Sequence, residues 1–183
     1  MRAGGIWKTD SRARDTRGPG CSAAPPRREC GIRGEHLRSV CTPERALSAP
    51  ELCDLLTGVN VLALATVSVA CEPRVAPVDG LFYRGAFWFG SSPDSVRFRH
   101  LRARPAVSAS HTQGEELAVS IHGRAAEVDI NAPGNAGFLE YLRAVYSNWD
   151  DWAPGSAYAR IDATRMFVFA LRDSLGLEPI ANA

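Results

Sequence analysis

Lysine is nearly absent: Lys8 is the only one in 183 residues, every other basic side chain being arginine. A Schiff base to pyridoxal phosphate needs a lysine amine, and here it would have to come from a Gly/Pro/Arg-rich leading segment, so covalent pyridoxal chemistry is excluded. Long apolar runs are missing too. Nothing approaches the roughly 20 residues that span a bilayer, and no apolar stretch follows the basic N-terminal residues. The expectation is a soluble, unsecreted, cytoplasmic protein with no membrane partner. The five cysteines, Cys21, Cys30, Cys41, Cys53 and Cys71, stand nine to eighteen residues apart without a C-x-x-C pair. That spacing indicates neither a zinc site nor a disulfide framework and suits a reducing compartment.

Charge of one sign is also lacking overall, at a formal +1, but it is unevenly divided. Residues 1–43 carry nine basic and four acidic side chains, leaving twelve basic and sixteen acidic for the rest. A mildly acidic remainder argues against a nucleic-acid partner. The basic segment is rich in Gly, Pro, Arg and Ser with no apolar period, the pattern of a disordered tail. It has the character of a translated leader, which N-terminal sequencing of the native protein would test.

What remains holds apolar residues enough for one core. The expected domains are a tail over 1–43, a folded domain over 44–174 and a C-terminal tail over 175–183. Ser48-Ala49-Pro50-Glu51 is a capping box, and Leu52, Leu55, Leu56 and Val59 follow at helical spacing, with Gly58 as the stop. Strand chemistry begins at Val61, almost wholly apolar at first, as for a strand buried on both sides at one end. Further strands are predicted over Val75 to Tyr83, Ala86 to Phe89, Ala106 to Thr112, Leu117 to Val128 and Ala157 to Leu171. Helices are predicted up to about Arg102, with Val96 and Leu101 as apolar contacts, and near Gly134 to Tyr146. Such a chain predicts a mainly β fold, a six- to seven-stranded antiparallel split barrel flanked by two or three helices.

Two stretches carry candidate chemistry. In Gly90-Ser91-Ser92-Pro93-Asp94-Ser95-Val96-Arg97, hydroxyls and free N–H groups precede a helix, and an arginine lies within its first turn. Such an arrangement holds a phosphate; alternatively, Ser92 only caps the helix and Arg97 is solvated. In Arg74-Val75-Ala76-Pro77-Val78 a proline interrupts a good strand, marking an edge or bulge whose backbone groups are free to meet a ligand. The bland alternative is an edge proline that blocks aggregation.

Taken together, the leading strand, the R-x-x-P strand, the aromatic strand ending in Ser-Ser, the basic helix and the later strand with Gly123-x-Ala125 resemble the pyridoxamine 5′-phosphate oxidase-like family of flavin-binding split barrels. The resemblance covers about 120 residues, through Tyr158 to Leu171. It implies a homodimer with the cofactor at the interface, the ring bordered by the backbone around Val75 to Val78. It also implies a cofactor phosphate held at Ser91, Ser92 and Arg97, with Arg74, Val75, Ala76, Pro77 and Val78 completing the site. The likeness is closer to the branch using FMN or the deazaflavin coenzyme F-420, for whose longer anionic tail Arg99, Arg102 and Arg104 are further candidates. An exposed basic face is the ordinary alternative for those three. Leu117-Ala118 replaces the Arg-Gln pair of true pyridoxamine phosphate oxidases, which speaks against that activity. Ala70-Cys71-Glu72 replaces the usual Asp-Gly turn, and His100 stands where relatives often have Asn.

The implied function is an FMN- or F-420-dependent oxidoreductase that transfers hydride to or from a small organic substrate, with no catalytic side chain assignable. The alternatives are a non-catalytic flavin or F-420 carrier and, as a minor reading, a haem-binding relative. His36, His100, His111 and His122 show no ligand-like spacing, so no metal is expected. Tyr141, Tyr146, Trp149 and Trp152 suit either a substrate pocket or core contacts. Asp150-Asp151 reads as a solvated pair without a basic partner.

Overall fold

The computed structural model describes residues 39–152 and 155–179. Helix α1 (Ala49–Leu55) starts as its sequence dictates. The Ser48 amide donates to the Glu51 carboxylate at 2.7 Å and the Glu51 amide to Ser48 Oγ at 3.4 Å, satisfying two donors that a helix start leaves free. Gly58 ends the turn at φ 83°, a conformation that costs glycine nothing.

Six strands follow: β1 (Val59–Val67), β2 (Pro73–Tyr83), β3 (Ala86–Ser91), β4 (Ala106–Gln113), β5 (Leu117–Val128) and β6 (Ala157–Ala170). All their pairings are antiparallel, and they close in the order β1-β2-β3-β6-β5-β4. Helix α2 (Val96–Ala103) joins β3 to β4, and α3 (Ala136–Val145) with the single turn α4 (Trp149–Trp152) joins β5 to β6. Among the described residues no helix is long and apolar enough to cross a membrane.

Strand alternation puts Leu62, Leu64, Val119, Ile121, Ile161 and Val168 inside the barrel. Gly123 lies at the β5–β6 irregularity, where a β-carbon would fall on the Asp162 carbonyl and 2.9 Å from Ala163 Cα, so the Gly-x-Ala motif permits this close approach. A second cluster forms outside the wall: Phe138 of α3 stacks on Trp88 at 4.1 Å and packs with Leu81, Leu142, Trp149 and Tyr158. Trp149 is therefore a packing residue, its indole N–H donating to Tyr158 Oη at 2.7 Å.

Several local expectations are corrected. Strand β1 alternates cleanly and exposes Val61 where burial on both sides was expected, and Val59, expected on the helix face, is the exposed first residue of the strand. Val96 is exposed, and Phe98 with Leu101 forms the buried face of α2. Asp150 is not without a partner, lying 3.2 Å from Arg143. Cys53 is disulfide-bonded, which its spacing did not announce. Cys41 is buried against Phe167, and Leu175 and Leu177 pack on the core, so contacts reach both segments expected to be tails. Residues 1–38 lie outside the described residues.

Candidate functional site

Beside α2 the barrel wall is incomplete. Strand β2 pairs with β1 from Pro73 to Leu81, but with β3 only from Gly80 onward, so Pro73 to Asp79 have an open side. Proline is tolerated there because no ladder bond is lost, which is the edge meaning of Pro77; its pairing with Ala63 shows no bulge. The Arg97 guanidinium fills part of the gap, donating to the Pro77 carbonyl at 2.9 Å and to Ser91 Oγ at 3.1 Å. Neither acceptor carries charge. Arg97 is half-buried, and the loss of water pushes its pKa down from the ordinary arginine value. Other arginines meet carboxylates: Arg102 with Glu127, Arg160 with Asp162, Arg172 with Glu51.

Arg97 and Ser91 divide two adjoining hollows. The smaller, about 250 Å³, is lined by Arg74, Ala76, Ser91 and Arg97 together with Thr66, Ser95 and His100. The larger, about 580 Å³, runs from Pro77, Val78, Ser91, Ser92 and Arg97 to an aromatic end at Phe138, Tyr146 and Tyr158. Seven of the eight residues expected at the site thus converge. Val75 does not line either hollow and is exposed on the outer face of the barrel.

The cap of α2 is Ser95, whose Oγ accepts the Phe98 amide at 3.3 Å, so Ser92 is left on the wall of the larger hollow. The other arginines are committed elsewhere. Arg102 binds Glu127 in a two-point contact at 2.7 and 2.9 Å, and Arg104 donates to the carbonyls of Ser68 and Val69. Arg99 is exposed and lines neither hollow.

Sequence reasoning missed Thr66, Ser95 and Asp79 as lining residues, whereas Tyr146, read as suiting a pocket or the core, does line the larger hollow. Ser95 carried a signal, being the last hydroxyl before the apolar helix positions. The others come from elements distant in sequence. Burial, with the Asp79 carboxylate acting on its hydroxyl, pushes the Tyr146 phenol up to about 12, so it stays a neutral donor across the physiological range.

No family model matches the chain, and neither does any curated protein. Solved structures do. A conserved hypothetical protein from Mycobacterium tuberculosis is 22% identical at a TM-score of 0.55, the match covering 77% of this chain and 95% of the other. A FAD-binding protein from Mesorhizobium loti is 26% identical at 0.51, over 67% and 94% of the two chains. HutZ, the haem storage protein of Vibrio cholerae, is 17% identical at 0.53, over 61% and 89%. The fold is that of the pyridoxamine 5′-phosphate oxidase-like split barrels. Within the split barrel, the open half of β2 and the start of α2 form one wall of the paired hollows.

Proposed function

We propose that this split barrel binds a phosphate-bearing flavin or deazaflavin, FMN or F-420, and works as a homodimeric oxidoreductase on a small organic substrate. The observation that carries the reading is Arg97: a half-buried cation held only by neutral oxygens, at the mouth of a hydroxyl-lined hollow. An anion there would compensate its charge.

The residues fit such a group. The smaller hollow offers Arg74, Arg97 and three hydroxyls to a phosphate, and the larger one has the volume and aromatic wall of a planar-ring pocket. When bound, the cofactor supplies the hydride chemistry. The chain's part is to anchor the phosphate, orient the ring along Pro77 and Val78, and keep water from it with Phe138 and Tyr158. The FAD-binding protein among the similar structures supports the cofactor class. Dimerisation is supported by the outer face of β1 and β2, where Val59, Val61 and Val75 are each 44% exposed or more and Val61 also lines the larger hollow.

The test is titration of purified protein with FMN and F-420, followed by absorption and fluorescence. Binding of one of them, with turnover on addition of an acceptor, supports an enzyme; binding without turnover on a panel of acceptors supports a carrier. Failure to bind either overturns the proposal.

A further inference from the structure

The smaller hollow contains one residue for which the anion site so far has no role. His100 lies three residues after Arg97 on α2, so the two side chains leave the same helix face. Its Nδ1 is 2.9 Å from Oγ1 of Thr66, a buried residue of β1. That contact sets the ring's orientation and leaves Nε2 for the hollow.

The groups facing His100 come from every neighbouring element. Arg97 comes from its own helix and Arg74 from β2, while β1 presents Thr66 and the end of β3 presents Ser91. Arg104 gives only its backbone N–H to the His100 carbonyl, its guanidinium being turned to Ser68 and Val69. Among the described residues no carboxylate lines the hollow; Glu72 is held by Arg74 at 2.6 Å, and that pair is largely exposed. The Arg97 charge on this wall has no counter-charge in the hollow until an anion enters.

We infer that His100 is a third phosphate ligand of the smaller hollow, with Thr66 as its positioning residue. The inference rests on the proposed cofactor class and adds to it a further side-chain contact to the same phosphate.

The experiment titrates FMN into the wild-type chain and into His100→Ala, Thr66→Val and Thr66→Ser by flavin fluorescence at pH 7. Riboflavin, which lacks the phosphate, and F-420 are run in parallel. His100→Ala should weaken FMN binding roughly tenfold. Thr66→Val should lose part of the same affinity, and Thr66→Ser should restore it. Riboflavin should bind all four chains alike. If His100→Ala does not melt cooperatively, His100→Leu takes its place. An FMN affinity unchanged by loss of the imidazole, or an equal loss for riboflavin, overturns the role of His100 and leaves the cofactor reading standing. A wild-type chain that binds neither FMN nor F-420 overturns both.

Discussion

Arg97 reaches across from α2 to the carbonyl of Pro77 at 2.9 Å, joining a helix to the unpaired half of a strand twenty residues earlier. The missing N–H of proline and the free carbonyl beside it serve the same end. A strand with no neighbour on one side tolerates the first and offers the second.

Arg97→Ala removes the half-buried charge of the anion site. Affinity for FMN or F-420 should fall by roughly 1.5–3 kcal/mol, the scale of a lost charge-assisted hydrogen bond. The melting temperature should hardly move, since the guanidinium binds only Ser91 and Pro77. Fluorescence titration and a thermal melt check both halves; unchanged affinity would place the anion elsewhere.

Val61 is 57% exposed on the outer face of β1, and in register beside it are Asp79 of β2 and, two positions on, the pair Ala63 and Pro77. A charge on this largely apolar face should be tolerated by the monomer and not by a pair of barrels. Val61→Glu is expected to turn a dimer into a monomer by light scattering while the chain keeps its circular dichroism. A wild-type mass of one chain would dispose of the dimer.

Arg172, 8% exposed, donates to the Ala46 and Glu178 carbonyls and to Glu51, at 2.6 Å to Oε1. The guanidinium beside it holds the Glu51 carboxyl down at about 2. A carboxyl depressed on folding adds stability above its unfolded pKa, and loses it as pH falls toward the folded value. Glu51→Gln should therefore cost roughly 1.5–3 kcal/mol at pH 7, and the gap from wild type should close between about pH 4.5 and pH 2. Urea midpoints across that range measure it, and a gap independent of pH would show that the charge is not what matters.

Cys71, exposed and free, turns the first hairpin at φ 64°, in the left-handed region. Removing its β-carbon should relieve strain of about 1 kcal/mol, so Cys71→Gly should raise the melting temperature despite the added freedom of the unfolded chain. A lower melting temperature would mean that the entropy of glycine outweighs the strain.

Legibility varied with the range of the interaction. The capping box at Ser48 and Glu51, the ends of β5 and the turn at Gly58 were all readable, because each depends on residues within a few positions of one another. Val96 misled because its helix of eight residues offers too little periodicity to choose between the Val96 and Phe98 faces. The cap was misplaced for a related reason: three serines precede the helix, and any of them satisfies the local rule.

By itself, then, the sequence determined that alternating strands would close one small barrel and that an arginine would stand near a run of hydroxyls. Both follow from short-range spacing and apolar pattern. Only the tertiary structure decided that Thr66 would meet His100, that Arg97 would bind Pro77, and that Arg102 and Arg104 would be spent on other contacts. Those pairs are separated by 20 to 36 residues or depend on such distant partners, and no local energy term brings them together. They meet because closing the β1–β2 ladder and packing α2 against it leaves their side chains one place to go.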